Sequence, residues 1–178
     1  MDEMKILIRE EQQDDQREVY LVNKLAFGRE NEARLVDVLR NGRSFVPGLS
    51  IVAVKGKEVV GHILFTRVSI KINNGGGKEH LSLSLAPMAV RPGFQNQGIG
   101  SRLVRYGLEK ASKMGFASVV VLGHREYYPR FGFIAAATFG LEPPFEVPRG
   151  VFMAVELRKD GLKGAGGIVQ YPVEFENV

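Results

Sequence analysis

The chain has 178 residues, 44% hydrophobic and 25% charged, enough for one domain of ordinary size with a substantial core. It has no cysteine, which excludes disulfides, thiolate zinc sites and a cysteine nucleophile. The net charge of +4, from 24 basic and 20 acidic side chains, suits a polyanionic ligand, but no Lys/Arg run or basic stripe with interleaved aromatics calls for nucleic acid.

Met1-Asp2-Glu3-Met4-Lys5 opens acidic and lacks the basic-then-apolar pattern of a secretory signal. No apolar run approaches the roughly 20 residues that span a bilayer. No membrane association is expected, and the absence of cysteine fits a cytoplasmic location. Ile6-Leu7-Ile8 is a short apolar run that predicts a first strand. From Asp15, the spacing of Val19, Leu21, Val22, Leu25, Ala26 and Phe27 predicts an amphipathic helix ending at Gly28. A second helix carries Ala33, Leu35, Val36, Val38 and Leu39 and stops at Asn41-Gly42. Two helices after one strand would cover one side of a sheet.

Two strands follow, over 49–54 and 58–70, joined by Lys55-Gly56-Lys57. Gly61 inside the second predicts a bulge or a close backbone approach. His62 reads as a strand side chain with a structural partner. Asn73-Asn74-Gly75-Gly76-Gly77 turns the chain into a third strand, where Leu81, Leu83 and Leu85 alternate with Ser82 and Ser84 as if half-buried. Such short links favour antiparallel pairing.

Arg91-Pro92-Gly93 ends that strand. A helical run then extends from Ser101 to Met114, with Ile99, Leu103, Tyr106, Ala111 and Met114 at helical spacing and Gly115 as the C-terminal glycine. The turn between them, Gln95-Asn96-Gln97-Gly98-Ile99-Gly100, puts two glycines where the opening amides of a helix lack intrahelical partners. Bare backbone, unused donors and the positive end of the helix dipole suit a phosphate. By itself Gly-x-Gly is weak evidence and fits a plain strand-to-helix turn that binds nothing better than a phosphate site.

The run 116–122 is β-branched with little alternation, as in a strand buried on both faces and parallel to the one before the helix. A short helix is predicted over 127–131, and further strands over 133–137 and 151–157, with Pro143, Pro144 and Pro148 forcing a loop between them. Residues 168–175 suggest a last edge strand, since Pro172 is tolerable only at an edge. No repeat or internal boundary divides the chain, so a single domain over 1–178 is expected, with 158–178 as a C-terminal extension.

Gln95-x-x-Gly98-x-Gly100, preceded by Leu85-Ala86-Pro87-Met88-Ala89-Val90-Arg91-Pro92-Gly93-Phe94, resembles the acetyl-CoA-binding segment of the GCN5-related N-acetyltransferases. Tyr127-Tyr128-Pro129-Arg130-Phe131-Gly132-Phe133 resembles the second signature of that family, in its order and at its spacing. The likeness covers roughly residues 6–157 and is closest to a bacterial branch of predicted acetyltransferases.

The resemblance implies an α/β (α+β) fold with a mixed, mostly antiparallel central sheet and helices on both faces. It implies acetyl-CoA as co-substrate and direct transfer of the acetyl group to a primary amine. The strand ending at Val90 and the 116–122 strand would splay apart, and the backbone of Met88, Ala89 and Val90 would pair with the pantetheine arm. The amides of Gln97, Gly98, Ile99, Gly100 and Ser101 would meet the pyrophosphate, with Gln95 and Asn96 ordering the loop. Gln95 conforms to the motif. Asn96 stands where glycine is common and is a mild substitution, because asparagine tolerates left-handed dihedrals.

Tyr128 falls where many members carry a tyrosine that protonates the departing sulfur, a role that suits a phenol of pKa near 10. It could instead only pack against the cofactor. His124 and Glu126 are candidate bases, as is water relayed from backbone carbonyls. The histidines, at 62, 80 and 124, lack metal-ligand spacing, so no metal is expected.

A dinucleotide fold would want a third glycine where Leu103 stands, and no Lys-Ser/Thr follows for a P-loop. The rival from another class is a non-catalytic acyl-CoA sensor or interaction module. The sequence leaves open whether the acceptor is a small molecule or a peptide amine, and an exposed last edge strand could pair two copies in a homodimer.

Overall fold

The computed structural model describes residues 5–177; the acidic N-terminal residues 1–4 lie outside them. The chain forms two compact units. The first comprises Met1–Phe65, Ala86–Gly107 and Val173–Val178, and the second Thr66–Leu85 and Leu108–Pro172.

The first unit opens with β1 (Ile6–Glu10), which pairs antiparallel with β2 (Phe45–Lys55) in the register Ile6↔Lys55 to Glu10↔Ile51. Between them lie α1 (Gln16–Phe27) and α2 (Asn31–Arg40). Gly28, at φ 67°, caps α1 in the left-handed conformation that a Cβ disfavours. Strand β3 (Glu58–Ile72) follows β2 through a tight turn, and β4 (Glu79–Val90) follows β3.

Strand alternation decides which helix covers which face. Val52, Val54 and Leu64 are buried with Val19 and Val22 of α1 and with Leu35, Val36 and Leu39 of α2. Ala53 and Gly61 point the other way, toward Ile99 and Leu103 of α3 (Ile99–Lys113). A Cβ on Gly61 would stand 3.0 Å from Leu103 Cδ1 and 3.1 Å from Ile99 Cγ2. The glycine serves the expected close approach: it lets α3 settle onto the strand. The sheet thus has helices on both faces.

In the second unit β4 pairs in parallel with β5 (Ser118–Leu122), and β5 pairs antiparallel with β8 (Phe152–Glu156). Short β6 (Ile134–Ala135) extends that sheet from β8. The expected 133–137 strand is cut short because the chain coils into a 3-10 turn at Ala136–Phe139.

Two expectations need correction. Strand β4 is not half-buried by alternation, because Ser82 and Ser84 are 0% and 2% exposed while Leu81 is 52% exposed. A buried serine is acceptable when its hydroxyl has a partner, and Ser82 Oγ lies 2.7 Å from Ser118 Oγ. The C-terminal strand is also not an edge. β9 (Gly167–Gln170) pairs with β3 on one side and with β7 (Leu141–Glu142) on the other. Pro172 lies beyond it, and the chain continues as a 3-10 turn over Val173–Asn177.

Candidate active site

Two neighbourhoods carry the predicted site residues, one in each unit. In the first unit β4 runs out at Val90, and the chain turns through Gly93 (φ 90°), Asn96 (φ 60°) and Gly98 (φ 81°) into α3. Three left-handed residues in six wind the backbone tightly. Asn96 adopts the conformation its type tolerates best after glycine.

Side chains fasten the turn. Gln95 Nε2 donates to Val90 O at 2.9 Å, and Gln97 Nε2 donates to Gly93 O at 3.2 Å. The helical ladder includes a bond from Arg102 N to Gly98 O at 3.1 Å. A Cβ built on Gly98 meets nothing within 4 Å, so the space beside that residue is open. An anion fits there, at the positive end of a 15-residue helix.

Gln95 to Ser101 are therefore gathered in one turn. Met88, half-buried, Ala89, buried, and Val90, half-buried, are the last residues of β4. The β4–β5 ladder consists of Leu83↔Val119 and Ser84↔Val120 and stops there. Beyond it, Val121 and Leu122 pair with β8 alone.

In the second unit Tyr128 opens a 3-10 turn, Tyr128–Phe131, and is 7% exposed. Its ring packs edge-on to Tyr127 at 5.1 Å and to Phe133 at 5.6 Å between centroids. Burial, with a smaller contribution from Tyr127, pushes its pKa up from 10 to about 12. Gly123 makes room for this ring, since a Cβ there would lie 2.3 Å from Tyr128 Cε2.

Leu122 to Glu126, with Val147 and Val151 from the proline-rich loop, line a cavity of about 520 Å³. Gly123 N donates to Val151 O at 3.0 Å and joins the two walls. His124 and Glu126, the candidate bases, are exposed on this cavity. The contributions of Val147 and Val151 were not foreseen. Loop segments of this kind have no periodicity that would assign a face.

His62 belongs to neither neighbourhood. It is wholly buried in the first unit, with Nδ1 3.1 Å from Asn23 Nδ2 and Nε2 2.9 Å from Ser50 Oγ. Asn23 Nδ2 also donates to Val19 O, which fixes the amide orientation, so His62 Nδ1 accepts. Ser50 Oγ donates to Glu11, which leaves it to accept from His62 Nε2–H. Arg40 pairs with the other oxygen of Glu11. The structural partner expected for His62 is thus a four-member hydrogen-bonded chain. Among the described residues no three His, Asp or Glu side chains come together as a metal site.

A glycine turn thus joins an inner strand of a mixed sheet to a 15-residue helix. Residues 7–133 match the model of the acetyltransferase (GNAT) family. The chain belongs to that family. It is 42% identical to the N-acetyltransferase YjhQ of Escherichia coli over 135 residues, 75% of this chain and 73% of that one. The structure of E. coli YhbS in complex with CoA superposes with a TM-score of 0.89 at 30% identity, covering 97% of this chain and 93% of that one. A GNAT acetyltransferase from Brucella melitensis, solved with acetyl-CoA, gives a TM-score of 0.78 at 32% identity and covers 97% and 99% of the two chains.

Proposed function

We propose that this chain transfers the acetyl group of acetyl-CoA to a primary amine by direct attack, acting as one domain in the cytoplasm. The observation that carries the reading is the turn from Gly93 to Ser101. Its left-handed residues lead into the N-terminus of a 15-residue helix, with open space beside Gly98, in a chain whose relatives were solved with CoA or acetyl-CoA. When bound, acetyl-CoA would supply an activated acyl carbon: the amine nitrogen attacks it, the C–N bond forms as the C–S bond breaks, and the sulfur leaves as the thiolate while the proton lost by the amine passes to water, from which the thiolate is reprotonated.

The residues divide the remaining work. The amides of Gln97, Gly98, Ile99, Gly100 and Ser101 hold the pyrophosphate, while Gln95 and Asn96 keep the loop in shape. Backbone groups of Met88, Ala89 and Val90 pair with the pantetheine arm as an added strand. Tyr128 is the acid at the leaving sulfur. With its pKa at about 12, full proton transfer to a thiolate of ordinary basicity, near 8.5, is uphill by ~5 kcal/mol. Tyr128 therefore acts by donating a hydrogen bond as charge develops on sulfur, and it stays protonated across the neutral range. A homodimer through β9 forms no part of this reading, since β9 has partners on both sides.

Tyr128→Phe keeps the ring contacts and removes only the hydroxyl. It should lower kcat by roughly 10²-fold with the Kd for acetyl-CoA nearly unchanged, read by thiol release and calorimetry. Unaltered turnover removes Tyr128 from the mechanism. A protein that binds acetyl-CoA but acetylates no amine, with or without the hydroxyl, is an acyl-CoA sensor.

A further inference from the structure

The cavity beside Gly123 has a composition that neither the cofactor nor Tyr128 accounts for. Three aliphatic side chains, Leu122, Val147 and Val151, form its apolar surface, and Leu122 is 37% exposed there although it ends a strand. At about 520 Å³ it falls within the range of small-molecule sites. One of its lining residues, Gly123, is also the glycine that makes room for the Tyr128 ring.

One cation stands on the same wall. The Arg125 stem runs past Gly150, where an added Cβ would lie 3.4 Å from Arg125 Cδ. Its one hydrogen bond among the described residues is a long one, from Nη1 to Arg149 O at 3.4 Å. Nε and Nη2 remain, a pair of donors in the planar geometry that takes a carboxylate in two parallel bonds. Glu126 lines the cavity as well, so the wall offers both signs of charge within two residues.

We propose that this cavity seats the acceptor, and that the acceptor is a free amino acid with an apolar side chain. Its side chain lies on Leu122, Val147 and Val151, its carboxylate is held by Arg125, and its amine, drawn in by Glu126, is presented near Tyr128. A simple alkylamine leaves Arg125 without a partner, and a lysine within a peptide brings neutral backbone to the guanidinium. The inference rests on the acetyltransferase reading and names its substrate class.

The test compares leucine, methionine and phenylalanine with their amides, with alkylamines of matching length and with a lysine-containing peptide. Product is read by mass spectrometry and CoA release by thiol titration. The free acids should exceed their amides at least tenfold in kcat/KM. Arg125→Ala should collapse that ratio to about one, chiefly through KM, and Arg125→Lys should fall between. Equal rates on acid and amide, preference for the alkylamine or the peptide, or no turnover by a protein that binds acetyl-CoA would overturn the proposal. A protein whose melting temperature acetyl-CoA does not raise would defeat the acetyltransferase reading first, and this inference with it.

Discussion

With Nδ1 accepting from Asn23 and Nε2 donating to Ser50, the His62 imidazole is enclosed as the neutral base. Burial, with the Arg40 charge adding to it, lowers its pKa from 6.5 to about 3. The folded state thus refuses a proton that the unfolded chain takes up below pH 6.5. Stability is full above 6.5 and is lost as pH falls toward 3, at about 1.4 kcal/mol per unit. Between pH 7 and pH 5 urea denaturation should show a loss of about 2 kcal/mol, largely absent in His62→Gln. A stability that holds constant over that interval would mean that His62 protonates in place. The sequence indicated a structural role for this residue. It could not indicate the chain of partners, because Asn23 and Ser50 lie 39 and 12 residues away and are joined to it only by the fold. Tyr128 and the turn at Gly98 were legible, since their signals sit within a few contiguous residues.

Among the elements, α3 shows tertiary packing overriding local preference. Gly107 lies in its interior, where propensity alone would gain up to ~1 kcal/mol from alanine. A Cβ there would stand 2.2 Å from Cε2 of Phe65, a ring with no exposed surface and no free direction to move. Gly107→Ala should therefore destabilise by about 1–3 kcal/mol in urea denaturation; a more stable variant would show that the helix can shift away from β3. The helices α1 and α2 and strand β5 were readable because amphipathic spacing and a β-branched run are local. The faces of β4 were not. Alternation assigns the polar residues to solvent, whereas here Ser82 and Ser84 are enclosed, the Ser82 hydroxyl against that of Ser118. β9 was read as an edge from its proline, but the flanking β7, a two-residue strand, is too short to leave a pattern.

At the scale of the whole molecule, both units draw on separate stretches of sequence, and β3, β4 and α3 each contribute to both. No local break in composition marks such a division, so the sequence reads as continuous. The central proposal is that the turn before α3 holds the pyrophosphate of acetyl-CoA, a reading supported by the family match at residues 7–133 and by a relative solved with CoA. The most direct measurement is the melting temperature of the wild type and of Gly98→Glu against acetyl-CoA, CoA, ATP and NAD. Gly98→Ala serves as the control, because it carries the cost of a side chain at φ 81° without bulk or charge over the amides. At a hundredfold excess over Kd a ligand of the native state adds about 2.7 kcal/mol, a shift of several degrees for a chain of this size. That shift is expected with acetyl-CoA and CoA alone, kept in large part by Gly98→Ala and lost in Gly98→Glu. A shift with ATP or NAD instead, no shift at all, or a full shift in a folded Gly98→Glu protein would contradict it.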